Sequence, residues 1–201
     1  MYPQSIQNLI RAFKKFPSVG ERTAERYIFH LLKSGKKETT ELMLALKELV
    51  EKVKSCEVCW NFSDQSPCPI CRDPKRQNNL VCVVADPPNV KVIEKTGVFQ
   101  GRYHVLRGTI DGNNEEIMKE LKIKELLERI KTSTPPIQEI ILALNPDLAG
   151  ETTMLYLTQE IEHQNPKIKI SRLARGLPLG ADVRYADEIT LASAIKNRTE
   201  K

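Results

Sequence analysis

Four cysteines constrain this chain more than any other feature of it. Cys56 and Cys59 form one CxxC, Cys68 and Cys71 a second, and eight residues separate the two. Each CxxC turn supplies half of a tetrahedral thiolate site, the geometry that zinc adopts with sulfur ligands at about 2.3 Å. All four positions are then filled by sulfur, so no open position remains to activate water. The metal is structural, one Zn2+ per chain. Disulfides are the competing reading, and the compartment decides against them. No window approaches the roughly 18 apolar residues of a membrane span, and MYPQSIQNLI lacks the basic and apolar regions of a signal peptide. A cytoplasmic chain without membrane association keeps its thiols reduced. Metal binding on the order of 10 kcal/mol replaces the core that NFSDQSP cannot build. Trp60 and Phe62 are expected to pack on the knuckle, and Cys82, inside LVCVVA, to be a small buried hydrophobe.

The segments on either side of the knuckle follow different patterns. In SIQNLIRAFKKF, the residues Ile6, Leu9, Ile10 and Phe13 recur at helical spacing, which places Lys14 and Lys15 at the exposed end of an amphipathic helix. FPSVG interrupts it. A second helix is expected from Glu21 to about Lys33, and a third over TTELMLALKELVEKV with Thr39 or Thr40 as N-cap. After the knuckle, short apolar runs alternate with helical segments. LVCVVA, RYHVL, EIILAL and KIKISRL read as strands, with NVKVIEKTG, EEIMKELKIKELLERI and ETTMLYLTQEIEHQ as single helices between them. Such alternation predicts an α/β fold with a parallel sheet flanked by crossover helices. The tail begins irregularly and ends in a helix.

Charge separates the two halves. Of the net +5, residues 1–37 carry +6, from eight basic and two acidic side chains, which leaves about −1 for the remainder. A polyanion attracted by net charge therefore meets the N-terminal helices. Helix, PSVG turn and helix form the arrangement of a helix-hairpin-helix, in which backbone amides face a phosphate. Arg22 and Arg26 add charge there without reading bases. Ser18 stands where this motif often has another glycine.

NPDLAGE, residues 145–151, follows the strand EIILAL and is similar to the DPDxEGE signature of Toprim domains, whose carboxylates hold magnesium for phosphoryl transfer. The cluster here is depleted. Asn145, Ala149 and Ala85 occupy positions where Toprim catalysts carry acids, so Asp147, Glu151 and a displaced Asp86 remain. A magnesium-dependent nuclease or primase-like enzyme is the alternative that this motif raises, and the inventory disfavours it. No GxxxxGK[ST], GxGxxG or GxSxG is present, and His30, His104 and His163 stand apart from cysteines and carboxylate motifs, so no catalytic residue is assigned.

Basic hairpin, four-cysteine knuckle, Toprim-like sheet and tail occur in the order of the RecR family of recombination mediators. The chain resembles that family over essentially its whole length, through FPSVGERTAERYIFHLL, CxxC-x8-CxxC, TGVFQGRYHVL, ILALNPDLAGETT and RLARGLPLGADVRYADEITL. The resemblance implies four divisions: a helix-hairpin-helix at 1–54, a zinc finger at 55–78, a Toprim domain at 79–172, and a Walker B-like segment of subunit contacts at 173–201. It implies a non-enzymatic DNA-repair factor that assembles as a clamp, a tetramer or dimer of dimers. Such proteins act with RecO and RecF on single-stranded and gapped double-stranded DNA and help load RecA. By position, the family's DNA contacts fall on Arg22 and Arg26, beside Lys14 and Lys15. Its zinc ligands fall on Cys56, Cys59, Cys68 and Cys71, and its Toprim acids, for partner contact or weak cation binding, on Asp147 and Glu151. The family usually has Glu at Ala85 and Ala149.

Overall fold

Three helices open the chain: α1 (Gln4–Phe13), α2 (Glu21–Ser34) and α3 (Lys36–Lys52). The structure, a computed structural model, describes residues 2–112 and 115–198. Residues 1–53 form one compact unit and residues 54–201 a second. In the first, Ile10 of α1 is buried against Ala24 and Ile28 of α2, with Ile6, Phe13 and Val19 packed around them. Leu9, expected on the same stripe, is exposed instead. The third helix starts earlier than its threonines suggest. Gly35, at φ +91°, joins α2 to α3 directly, a conformation that costs glycine nothing. Thr39 and Thr40 are therefore inside α3, where their hydroxyls donate to the carbonyls of Gly35 (3.1 Å) and Lys36 (2.7 Å) rather than capping it.

The second unit begins with a short antiparallel ribbon, β1 (Lys54–Ser55) with β2 (Phe62–Ser63), and the turn of helix α4 (Pro69–Arg72). Then β3 (Leu80–Val84), β4 (Arg102–Val105), β5 (Glu139–Ala143) and β6 (Lys169–Arg172) form the expected parallel sheet in the order β4-β3-β5-β6. Its central strand, LVCVV, is covered on both faces, which is why it reads as one continuous apolar run. One face carries α5 (Pro87–Glu94), whose Val90 packs with Cys82, Val84, Tyr103 and Val105 of the sheet. The other carries α7 (Ile123–Thr132) and α8 (Leu148–Gln164), which bury Leu126, Ile130, Leu157 and Ile161 against Val81, Val83 and Ile140. The chain leaves β3 toward one edge and β5 toward the other, so a crevice opens past the carboxyl ends of these two neighbours.

The segment EEIMKELKIKELLERI is two helices, not one: α6 (Glu115–Glu120) and α7. Tertiary bonds cause the break. The Lys122 amide donates to the Leu106 carbonyl (2.8 Å), and its own carbonyl accepts from Nε2 of the fully buried His104 (2.7 Å), so the chain stops to fasten itself to the end of β4. Burial pushes the His104 imidazole down to about 3, which keeps it neutral. The tail forms a turn of 3-10 helix at Val183–Tyr185 and then α9 (Glu188–Lys196), capped where Asp187 accepts from the Thr190 amide.

Arg76 grips Glu94 through two bonds, of 3.0 and 2.5 Å, and donates to the Gly101 carbonyl, while the Tyr103 hydroxyl donates to the same Glu94 (2.6 Å). Burial raises the Glu94 carboxyl, but these donors outweigh it and leave the group below its ordinary 4.5. The carboxylate thus contributes stability above pH 4.5 that is lost as pH falls through its folded value. Glu94→Gln should cost about 2 kcal/mol in urea unfolding at neutral pH. The gap to the parent protein should close as the pH drops below 4.5.

Candidate nucleic-acid interface and metal centre

The hairpin turn between α1 and α2 is built by main-chain bonds. The amide of Phe16 donates to Phe13, that of Val19 to Phe16, and that of Ala24 to Gly20. Ser18 takes the left-handed conformation, φ +61°, that this position requires, which explains the motif's preference for glycine there. Val19 turns inward to the hairpin core. Gly20 is the N-cap of α2 and offers no side-chain acceptor, so the first-turn amides point outward at the positive end of the helix dipole. Arg22 and Arg26 are exposed and lie one turn apart on one face of α2, Arg26 over the Tyr27 ring at 5.8 Å. Lys15 is exposed beside the turn. Lys14 is exposed too, but its ammonium pairs with Glu21 at 2.8 Å, so part of its charge is already balanced.

In the finger, the four sulfurs lie within 4.8 Å of one another, all buried. A tetrahedral zinc with sulfur at about 2.3 Å sets neighbouring sulfurs about 3.8 Å apart, and the Sγ atoms of Cys59 and Cys68 are separated by 3.6 Å. The Cys68 amide donates to Cys56 Sγ at 3.3 Å, a bond that favours thiolate. Left to themselves the thiols conflict. Cys68 is pushed down to about 2 by hydrogen bonds from Cys59 and Cys71. Cys59, bonded to Cys68, is pushed up to about 12, and Cys71 rises through its bonds to Cys59 and Cys68 together with burial. A divalent cation removes this conflict by favouring all four thiolates at once, so the donor set fits zinc.

The finger is fastened to the edge strand β4. The Val105 amide donates to the Cys59 carbonyl (2.8 Å), and Arg107 donates to the Trp60 carbonyl (3.1 Å) and the Ser55 hydroxyl (2.6 Å). Arg129 of α7 reaches between them, donating to the carbonyls of Tyr103 (2.6 Å) and Val58 (3.3 Å). Burial lowers its pKa, opposed by the charge of Cys71 and Cys59. Trp60 and Phe62 do not pack on the knuckle, because Val58 and Ile70 already fill the space beside the sulfurs. Phe62 is instead half exposed under Arg107 at 4.5 Å, and Trp60, at φ +62°, lies under the Lys122 ammonium at 4.7 Å. Cys82 is buried on β3 as expected, and burial pushes its thiol up to about 12.

At the crevice past β3 and β5, the remaining acids are already engaged. Asp147 caps α8 by accepting from the Gly150 amide (2.8 Å). Gly150 is required there, since a Cβ would strike the Asn145 carbonyl. Asp86 forms a capping box with Asn89. Glu151 pairs with Arg175 and, at 3.9 Å, with Arg172, both at or beyond the end of β6. Ala85 is buried. Among the described residues, the four cysteines are the sole group of three or more His, Cys, Asp or Glu side chains brought within reach of one ion. Sequence reasoning misses Arg107, Arg129 and Arg175. Each stands in a segment whose pattern is set by its apolar neighbours, and only the folded neighbourhood gives it a partner.

Comparison with known proteins matches each segment in turn. Residues 6–50 match the RecR helix-hairpin-helix, residues 53–73 the RecR four-cysteine zinc finger domain, residues 79–174 the Toprim domain and residues 176–199 the RecR C-terminal region. Relatives named Recombination protein RecR include one from Gloeobacter violaceus, 42% identical over 200 residues and 100% of both chains. One from Bifidobacterium adolescentis is 43% identical, covering 98% of this chain and 96% of its own. One from Anaeromyxobacter dehalogenans is 42% identical, covering 97% and 96%.

Two outcomes follow from this geometry. Metal analysis should find one zinc per chain, and Cys71→Ser should lose it. Hydrogen exchange at the Val105 amide, slow in the loaded protein, should then accelerate. Ser18→Gly should raise the melting temperature or leave it unchanged, because relief of about 1 kcal/mol of left-handed strain offsets the extra freedom of the unfolded chain.

Proposed function

The chain belongs to the RecR family of recombination proteins, and from that premise we propose that it is a cytoplasmic, non-enzymatic mediator of recombinational repair. It closes as a homo-oligomeric clamp on single-stranded or gapped double-stranded DNA and works with RecO and RecF to load RecA. One observation carries the proposal: residues 1–37 hold an excess of six positive charges, and Lys14, Lys15, Arg22 and Arg26 among them flank an N-terminus of α2 that no side chain caps. Arg22, Arg26 and Lys15 hold the sugar-phosphate strand by charge, and Lys14 joins them by exchanging Glu21 for a phosphate. Contacts of this kind ignore base sequence, as a factor acting at any gap must.

Other features support the remaining parts of the reading. The division at 1–54, 55–78, 79–172 and 173–201 assigns DNA contact, structural zinc, partner contact and subunit contact in turn. Helix α3 buries none of its residues, and Leu42, Met43, Leu46, Leu49 and Val50 are exposed. In the tail, Leu179, Val183, Tyr185 and Ile189 are exposed as well. A second copy of the chain is the natural cover for apolar surface on this scale, which favours a tetramer or dimer of dimers. Asp147 and Glu151, occupied by a helix cap and by Arg172 and Arg175, suit partner contact better than metal chemistry. Among the described residues no helix is long and apolar enough to cross a membrane.

Binding to a single-stranded oligonucleotide should weaken with salt at a log-log slope of about −0.7 per phosphate neutralised. Replacing Arg22 and Arg26 together by Ala should flatten that slope by about 1.4 and weaken binding alike for every base composition. Unchanged affinity in the double variant would remove the hairpin from the mechanism. Cleavage of DNA by pure protein and magnesium would replace the mediator reading with a nuclease one.

A further inference from the structure

The break between α6 and α7 leaves a pocket of about 240 Å³, which the end of α6, the start of α7 and one residue of α8 enclose. Met118, Ile123 and Tyr156 supply its apolar surface, and Lys119 and Lys124 are its charged side chains. Ile123 is buried, whereas Met118 and Tyr156 pack on the same core and stay partly open. Both lysines are exposed, and among the described residues neither has an ion pair. The Tyr156 hydroxyl likewise has no hydrogen bond. No acid among the described residues lines the pocket. Ile123 and Lys124 begin α7, whose N-cap Lys122 supplies no side-chain acceptor, so the positive end of that helix dipole adds to the two ammonium groups. Glu125, the acid of the same turn, is held by Lys122 at 3.0 Å. A free lysine in the first turn of a helix is unfavourable until an anion answers it.

We infer that this pocket docks an acidic segment of a partner protein: an apolar side chain enters between Met118 and Tyr156, and carboxylates on either side of it meet Lys119 and Lys124. The Tyr156 hydroxyl donates to one of those carboxylates. The volume suits a single aliphatic side chain, and the unbranched Met118 adapts to its shape. Charge selects the flanks, because every ionised group of the described lining is a cation. Two ammonium groups also attract a phosphate, but Met118 and Ile123 give a nucleobase no partner for its polar edge, whereas an aliphatic side chain needs none. The surface belongs to the second unit and uses none of the basic residues of the hairpin.

The methyl group of Met118 reports the pocket directly, with Met43 on α3 and the buried Met154 as internal references. The full-length protein, labelled with carbon-13 at its methionine methyls, is titrated with acetyl-Asp-Asp-Leu-Asp-Asp-amide. Controls replace the central Leu by Gly, or all four Asp by Lys. A saturable shift of the Met118 resonance, with Met43 and Met154 unmoved, is expected for the acidic leucine peptide and should weaken as salt rises. The Gly peptide should bind about tenfold more weakly or worse, and the Lys peptide should not bind. Replacing Lys119 and Lys124 together by Gln, both exposed changes, should weaken binding about fivefold, and Tyr156→Phe about threefold. The inference fails if Met118 does not move at millimolar peptide, if either control binds equally, or if the double Gln variant or Tyr156→Phe binds like the parent. A shift with oligothymidylate in place of peptide would overturn it in favour of a nucleic acid, and a shift on dilution of the protein alone would assign the pocket to a second copy.

Discussion

A guanidinium largely withdrawn from water ties the finger to the sheet. Arg129 projects from α7 and donates to one carbonyl of the finger, that of Val58, and one of the sheet, that of Tyr103. A positive charge withdrawn from water needs such acceptors, and neither segment alone presents both. The finger therefore belongs to the sheet as much as to its own sulfurs. The Cys59 carbonyl and Arg107 complete the attachment along the outer edge of β4. That edge would otherwise present unpaired main-chain groups to any passing strand. Metal binding stabilises the finger, and the finger in turn closes the sheet.

The chemistry is distributed accordingly. Positive charge is concentrated in the first unit, where uncapped amides and exposed arginines face solvent. The second unit has turned the acids of a phosphoryl-transfer motif into structural groups. Asp147 and Asp86 begin helices, and Glu151 answers the arginines of the tail. These carboxylates are thus engaged within the chain itself. Membership in the RecR family accords with that division of labour.

Much of this is legible in the residues. The spacing of the cysteines determines the metal site, because a tetrahedral ion leaves few alternatives. Nearly continuous apolar runs mark β3 and β5, shorter mixed ones mark β4 and β6, and one-sided runs between them mark the crossover helices. The failures share a physical cause. ELKIKELL keeps a helical period through Leu121 and Lys122, and only the bonds from Lys122 to Leu106 and His104 reveal the break. Thr39 and Thr40 have the chemistry of caps, yet Gly35 has already turned the chain. Hydrophobicity alone puts Trp60 and Phe62 on the knuckle, whereas the cations of Lys122 and Arg107 decide where they lie. Arg129 is inconspicuous in sequence because its value depends on carbonyls contributed by residues 26 and 71 positions away.

Gly35 also has a mechanical meaning. It is the whole connection between α2 and α3, and Thr39 ties the junction by donating to Leu31 on its far side (3.2 Å). With no slack between the two helices, the direction of the uncovered side of α3 sets the bearing of the arginines on α2. A turn of the one therefore carries the other with it, and the apolar side of α3 keeps a fixed bearing to the basic side of α2.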